Sequence, residues 1–496
     1  MGRQEQIISE RLKKLEALRQ AGINPYPNKF DVKNYSEELK EKHKYLKSDS
    51  EAKDSVKIAG RLMTFRDLGK IAFGTLQDSK GKIQIVLQSP ESPKKISEFF
   101  KKYVDTGDFL GIQGTILRTK RGELSVLVKN ATMLSKSILP LPEKWHGLQD
   151  EEEKLRKRYL DILTNPEVKE MFIRKNKFWQ VIRSFLIERG FLEVETPILE
   201  TSAGGATATP FATHHNALDT DIYLRISMGE LWQKRLMVAG YDKTFEIGRQ
   251  FRNEGMDAEH LQDYTQMEFY WAYSNYEDGM KLVQELYQKI AREVFGKTIF
   301  ERNGHKFDLN KKWKIVDYSK EIKKQTGIDI FKATKEEIEE KLGKLEEEYS
   351  KGLEKPRLVD LLWKHCRRNI SGPAFLTGQP IEISPLAKRN PEEPGKVEQF
   401  QVILAGSEVG NGYSELNDPL DQEERFKEQM KMKEAGDTEA QEHDTDFVEA
   451  LKYGMPPTCG FGFSERLFSF LEGKPIRETV IFPLMKPEKT KGGKNG

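Results

Sequence analysis

Three stretches of this chain gather residues that could do chemistry. The first spans residues 245–273. Arg252, Asn253, Glu254 and His260 lie in a connection between two alternating runs, and Gln266, Glu268 and Tyr270 share one face of the second run. A guanidinium, a carboxylate and an imidazole beside a row of amide, carboxylate and phenol could line a polar pocket. A sheet with one face in water satisfies the same alternation. The second stretch is residues 410–419. Asn411, Tyr413 and Glu415 fall on one face of a short strand, with Glu408 just upstream. The third runs Cys459-Gly460-Phe461-Gly462-Phe463-Ser464-Glu465-Arg466-Leu467. Glycines this close, leading into a helix, let backbone approach a ligand, and Arg466 can cover a phosphate. Other chemistries lack their residues. The sequence has no Gly-x4-Gly-Lys-Ser/Thr loop, no Gly-x-Gly-x-x-Gly after a strand and no His-Glu-x-x-His, and His214-His215 has no partner at metal-ligand spacing.

The elements that must position these residues can be read from periodicity. Ile7, Ile8, Leu12, Leu15 and Leu18 recur at helical spacing until Ala21-Gly22 and Pro25, and a second charged helix is expected over 35–46. From Val56 the period becomes two. Strands are expected at 56–62, 72–77, 82–87, 109–117 and 124–128, with a helix over 93–103. Three strands, a helix and two strands is the order of an OB-fold barrel, which often binds single-stranded oligonucleotides; a barrel without a ligand fits the spacing equally. Pro140 and Pro142 mark a linker. A charged helix over 150–163 and a long helix over 168–189, closed by Gly190, open a second, larger domain. Residues 332–351, dense in Glu and Lys, predict a surface helix. The expected division is a helical extension over 1–50, the barrel over 51–140, a linker over 141–165, the large domain over 166–489 with a helical insertion near 311–365, and a basic tail over 490–496.

Composition bounds the class. The 496 residues carry 81 Lys+Arg against 79 Asp+Glu, a net charge of +2 that neither requires nor excludes nucleic acid. Twenty-seven Phe and 16 Tyr can fill a sizeable core. Two cysteines, Cys366 and Cys459, exclude a disulfide scaffold and fit a reducing, cytoplasmic setting. No apolar run approaches the roughly 20 residues of a membrane span.

Each cluster alone is weak, but their order is specific. Phe251-Arg252-Asn253-Glu254 with His260 and Glu268 resembles the second signature motif of the class II aminoacyl-tRNA synthetases. The segment from Gly190 through Leu199 resembles the first motif, and Gly460 to Leu467 the third. Within the class the chain is similar to the lysyl-tRNA synthetases, through Lys144-Trp145-His146-Gly147, Pro210 to Asn216, Tyr223-Leu224-Arg225, Glu382 to Leu386 and Asn411 to Pro419. The resemblance covers nearly the whole chain. It implies an α+β fold, in which an N-terminal OB-fold barrel precedes a catalytic domain on a mainly antiparallel sheet flanked by helices. It implies a homodimer, with the first motif at the interface, and a ligase that joins L-lysine to ATP and then to the 3′ end of tRNA(Lys). It places Arg252 near the α-phosphate and substrate carboxylate. Glu254, His260, Tyr264, Glu408 and Arg466 fall at the nucleotide, with Arg252, Glu254 and Arg466 as the catalytic set. Gly205, Glu230, Glu268, Tyr270, Asn411, Tyr413 and Glu415 fall at the lysine. Arg66, Phe73, Gln84 and Glu123 fall at the anticodon. Magnesium is the implied cofactor, with Glu408 as one of its carboxylates. The pocket chemistry agrees, since an ammonium needs carboxylates and oxygen acceptors.

The chain departs from the family at four points. One extra residue separates Arg225 from Glu230, predicting a bulge or a shifted Glu230. Gln401 stands where a second metal carboxylate belongs, and Gln399 replaces an arginine. The third motif is one residue short, with Ser464 near the expected third glycine. A relative that binds tRNA without activating lysine, or one that lysylates a protein, would also carry such changes; the barrel argues against the second. Cys459, beside the third motif, is a candidate for thiol-sensitive activity.

Overall fold

A computed structural model describes residues 2–142, 150–202, 205, 208–255, 257, 259–349, 352–434 and 443–488. The Lys144–Gly147 string, part of the expected linker and the basic tail lie outside the described residues. The chain divides into two compact units, residues 1–150 and 151–496.

The first unit is a closed five-stranded barrel, in the order β1-β2-β3-β5-β4. Its strands are β1 (Ser50–Asp67), β2 (Ile71–Gln77), β3 (Lys82–Gln88), β4 (Phe109–Arg118) and β5 (Leu124–Ser135), with a helix over Lys94–Tyr103 between β3 and β4. Alternation builds most of it: Ile83, Ile85 and Leu87 of β3 point into the barrel with Ala72 and Leu76 of β2, while Val86 is buried on the other face of β3. Helix Arg3–Gln20 buries Leu15 and Leu18. The second expected helix is shorter, Ser36–Lys42, because the chain turns at His43 and Leu46.

The second unit opens with a break. The charged helix expected over 150–163 is two helices, Glu151–Arg156 and Arg158–Thr164, interrupted at Lys157, whose ψ of 42° is not helical. The long helix is Pro166–Ile187. Asn165 accepts a hydrogen bond from the Glu167 amide and Pro166 takes the first turn, so the helix starts two residues earlier than periodicity suggested. Glu188 is its C-cap, and Gly190 lies beyond it at φ +80°.

Thirteen strands follow among the described residues of this unit: β6 (Leu192–Glu193), β7 (Leu199–Glu200), β8 (Ala212–His215), β9 (Thr220–Leu224), β10 (Lys243–Phe251), β11 (Asp263–Ala272), β12 (Ile299–Arg302), β13 (His305–Asp308), β14 (Lys314–Asp317), β15 (Ala374–Thr377), β16 (Gln399–Leu404), β17 (Ser407–Ser414) and β18 (Thr458–Ser464). Eight form one sheet, ordered β14-β15-β16-β17-β18-β11-β10-β6. Only β14–β15 and β10–β6 are parallel within it. The fold is therefore mixed α+β, an OB barrel followed by a mainly antiparallel sheet with helices on it. Residues 311–365 contain more than helix, since β14 is the edge strand of that sheet. The helices Tyr318–Thr326, Lys335–Lys344 and Lys355–Arg367 gather around a separate small core.

Aromatic residues hold the back of the sheet. Phe400 and Phe461 stack with centroids 5.4 Å apart, and Phe461, Phe463, Phe269 and Met267 face helices Pro166–Ile187 and Tyr276–Phe295. Truncating one such ring to alanine costs about 3–5 kcal/mol. With those residues fixed inward, alternation sends Gln266, Glu268, Tyr270, Gly460 and Gly462 to the opposite face. Among the described residues no helix is long and apolar enough to cross a membrane.

Candidate active site

The opposite face of the sheet is not left in water. Helix Glu230–Val238 roofs part of it, and Glu268, Tyr270 and Glu415 are all buried beneath. What remains is a cavity of about 430 Å³, lined by strands β11, β17 and β18, the loop after β10 and the first turn of that helix. It contains all thirteen residues expected at the nucleotide and the amino acid: Gly205, Glu230, Arg252, Glu254, His260, Tyr264, Glu268, Tyr270, Glu408, Asn411, Tyr413, Glu415 and Arg466.

One end is a seat of carboxylates. Glu268 accepts hydrogen bonds from the Met228 amide at 3.2 Å, the Tyr270 hydroxyl at 3.0 Å and the Gln266 amide at 2.5 Å. Tyr413 donates its hydroxyl to Glu230. Two glycines make room: a Cβ on Gly460 would overlap Glu415 Oε1 and stand 2.8 Å from Tyr270, and one on Gly462 would stand 2.6 Å from Glu268 Cγ. Burial, reinforced by the charge of Glu230, pushes the Glu268 carboxyl up to about 7. Burial pushes Glu415 up to about 8 against the opposing pull of Lys234. Gly205 faces Ser227 and Glu230, where a Cβ would crowd both.

Lys234 is the residue that sequence inspection missed. Its ammonium lies 2.9 Å from Glu230 Oε1 and 2.6 Å from Glu415 Oε2. Burial alone would lower its pKa, but Glu230 and Glu415 outweigh burial and raise it. The signal was present as Glu230 and Lys234 four residues apart, the spacing at which a glutamate meets a lysine one helical turn on.

The other end carries cations and aromatic surface. The Arg252 guanidinium is 5.9 Å from the Tyr264 ring centroid and donates to the Ile226 carbonyl at 3.3 Å. His260 Nδ1 is 2.8 Å from Asp257, whose carboxylate the Glu259 amide and His260 hold below its usual range against burial. Arg466 pairs with Glu259, a half-exposed partner whose contact is worth at most about 1 kcal/mol and can yield to a ligand.

The departures resolve physically. The extra residue before Glu230 is absorbed in a turn where Gly229 sits at φ +63° against Thr196, and Glu230 becomes the first residue of the helix, facing the cavity. Gln399 donates to Asn411 Oδ1 at 2.8 Å, fixing that amide. In the short third motif β18 runs unbroken through Ser464. Buried Glu465 then accepts from the Thr265 amide at 2.8 Å, and Arg466 starts helix Arg466–Glu472. Gln401 donates to Glu408 Oε1 at 2.8 Å, and Arg367 lies 3.6 Å from Glu408 Oε2. Among the described residues no three His, Cys, Asp or Glu side chains converge as a metal cage. Glu408 is therefore the carboxylate that this site offers a hard cation, with Gln401 beside it as an amide oxygen. The thiol expectation fails. Cys459 is fully buried behind the sheet, where burial pushes its pKa well above the usual thiol value, and Cys366 is pushed up to about 11 by burial.

On the barrel, Arg66 and Phe73 are paired across β1 and β2. Gln84, diagonal to Phe73 on β3, accepts from the Ser125 hydroxyl at 2.8 Å. Glu123, at the start of β5, is exposed. Arg66, Phe73 and Gln84 share the outer face, opposite buried Ala72, Gly74 and Ile85.

A sheet of this order with such a cavity is matched by the tRNA synthetases class II (D, K and N) over residues 150–486, and the barrel by the OB-fold nucleic acid binding domain over residues 56–134. A lysine–tRNA ligase of Thermotoga maritima is 43% identical over 492 residues, covering 98% of this chain and 97% of its own. Those of Moorella thermoacetica and Nostoc punctiforme are 42% and 43% identical over 97% and 98% of this chain, covering 98% and 88% of their own lengths. The chain belongs to the class II tRNA synthetases, in the lysine–tRNA ligase family of that class.

Proposed function

We propose that the cavity activates L-lysine with ATP and that the enzyme then transfers the lysyl group to the 3′ end of tRNA(Lys). The observation that carries this is the division of one cavity into a carboxylate seat (Glu230, Glu268, Glu415) and a cationic end (Arg252, Arg466). The lysine ammonium groups meet the seat, completed by Tyr270, Tyr413, Asn411 and the open face of Gly205. Its α-carboxylate, already ionised, attacks the α-phosphorus. The new carboxylate–phosphorus bond forms as the bond to pyrophosphate breaks, and no general base is needed. Arg252 neutralises charge at the α-phosphate, Glu254 and His260 hold the nucleotide, and Tyr264 and Arg466 flank adenine. Positioning and charge neutralisation dominate such chemistry. Glu408 would help hold magnesium, which would supply further neutralisation of phosphate charge. A seat of carboxylates discriminates against uncharged analogues, which leave those charges unpaired.

The second step takes place on a tRNA whose anticodon stacks on Phe73 and meets Arg66, Gln84 and Glu123. Exposed Leu192, Ile198 and Leu199, on the segment resembling the first motif, support a homodimer. Two buried free thiols are at home in the cytoplasm. Loss of one stacking ring costs about 1–3 kcal/mol, so Phe73→Ala should lower kcat/KM for tRNA(Lys) charging by about fivefold to a hundredfold. It should leave lysine-dependent ATP–pyrophosphate exchange unchanged. Charging by the unmutated chain tests the ligase assignment itself. Equal loss of exchange and charging in Phe73→Ala would contradict the barrel's separate role.

A further inference from the structure

Lys234 has no role in the proposed chemistry, yet it is a fully enclosed charge beside the cavity. Its side chain is 1% exposed. Its ammonium touches two of the three seat carboxylates, and the rings of Tyr413 and Phe447 cover it at 5.4 and 5.7 Å to their centroids. Glu268 is treated differently, its donors being the Met228 amide, Gln266 and Tyr270. Glu415 Oε2 lies near the Lys234 ammonium but accepts no well-directed hydrogen bond, so it retains capacity for another donor. Tyr413 donates to the same Glu230 oxygen that Lys234 holds.

We infer that Lys234 is a positioning residue of the substrate seat, a protein-borne ammonium that fixes Glu230 and Glu415 and trims the seat's charge to match a diamine. With lysine bound and its ammonium groups in place of the seat's protons, three carboxylates and one ammonium leave two negative charges, the complement of the α- and ε-ammonium groups of lysine. Lys234 has this role only if the cavity takes lysine, as proposed above. Without Lys234 the three carboxylates would repel one another in a buried site and relieve that repulsion by taking up protons. The charged groups facing the ammonium are Glu230 on its own helix and Glu415 just after β17, with the Tyr413 ring of β17 over it. Helix Thr445–Lys452 contributes only Phe447.

The test uses the full chain with Lys234→Met, and Lys234→Arg as the variant that keeps the charge. In pyrophosphate exchange at pH 7, Lys234→Met should raise the KM for lysine by about tenfold or more while the KM for ATP stays within about twofold. At pH 8.5 the lysine defect should shrink by about threefold, as Glu415 ionises again. Lys234→Arg should keep the pH profile of the unmutated chain. A folded Lys234→Met with unchanged lysine KM, or with both KM values raised alike, would overturn the role. If Lys234→Met does not fold, as judged by thermal melting, Lys234→Gln replaces it under the same criteria, because it also removes the ammonium while keeping a polar side chain in the buried site. Absence of lysine-dependent exchange in the unmutated chain would overturn the assignment of the cavity, and this role with it.

Discussion

Glu268 and Glu415 hold protons in the folded chain at pH values where exposed carboxyls are ionised. Their pKa values, about 7 and about 8, stand above the ordinary 4.5, burial being the main cause in both. A carboxyl raised in the folded state contributes stability that is fully present below its unfolded value and lost as pH rises through its folded value. The unliganded chain should therefore lose stability between pH 4.5 and about 8 through these two groups. Lysine supplies ammonium groups in place of those protons, so its stabilising effect should grow across the same window. The melting-temperature shift caused by saturating lysine should be several degrees larger at about pH 8 than at about pH 5.5. A shift independent of pH would contradict ionised carboxylates as its receptor.

At the scale of elements, the cavity exists because β18 presents glycines where β11 and β17 present carboxylates. Phe461 and Phe463 anchor β18 to the core, so Gly460 cannot retreat from Glu415. Gly460→Ala should leave the sheet folded yet displace Glu415 and Tyr270. The KM for lysine should rise by about tenfold or more with the KM for ATP little changed, as expected when ground-state contacts to one substrate are lost. Equal kinetics in the variant would mean that Glu415 does not lie against the substrate. Much of this arrangement was legible beforehand. The barrel strands followed from period-two alternation, and alternation put Glu268 with Tyr270 and Tyr413 with Glu415 on common faces. The roof over those faces was not legible, because helix Glu230–Val238 is placed by the Gly229 turn and by packing on β10 and β11, both tertiary events. For the same reason Lys234 went unremarked, and Cys459 stood as a candidate for thiol-sensitive activity. Burial by distant segments decided both. Helix 150–163 was misread because a run of charges gives no sign of the break at Lys157.

At the scale of the whole molecule, a net charge of +2 conceals opposite local demands. The catalytic unit buries an acidic seat beside arginines that suit phosphates, while the barrel offers a ring and a guanidinium on its outer face. Those features assign activation to one unit and tRNA recognition to the other, and activation requires no tRNA. The most direct measurement is ATP–pyrophosphate exchange by the purified full chain with each of the twenty amino acids in turn. Exchange should depend on lysine, with aspartate and asparagine inactive, and Arg466→Ala should abolish it while tRNA binding persists. No exchange with lysine, or exchange driven by aspartate or asparagine, would contradict the account.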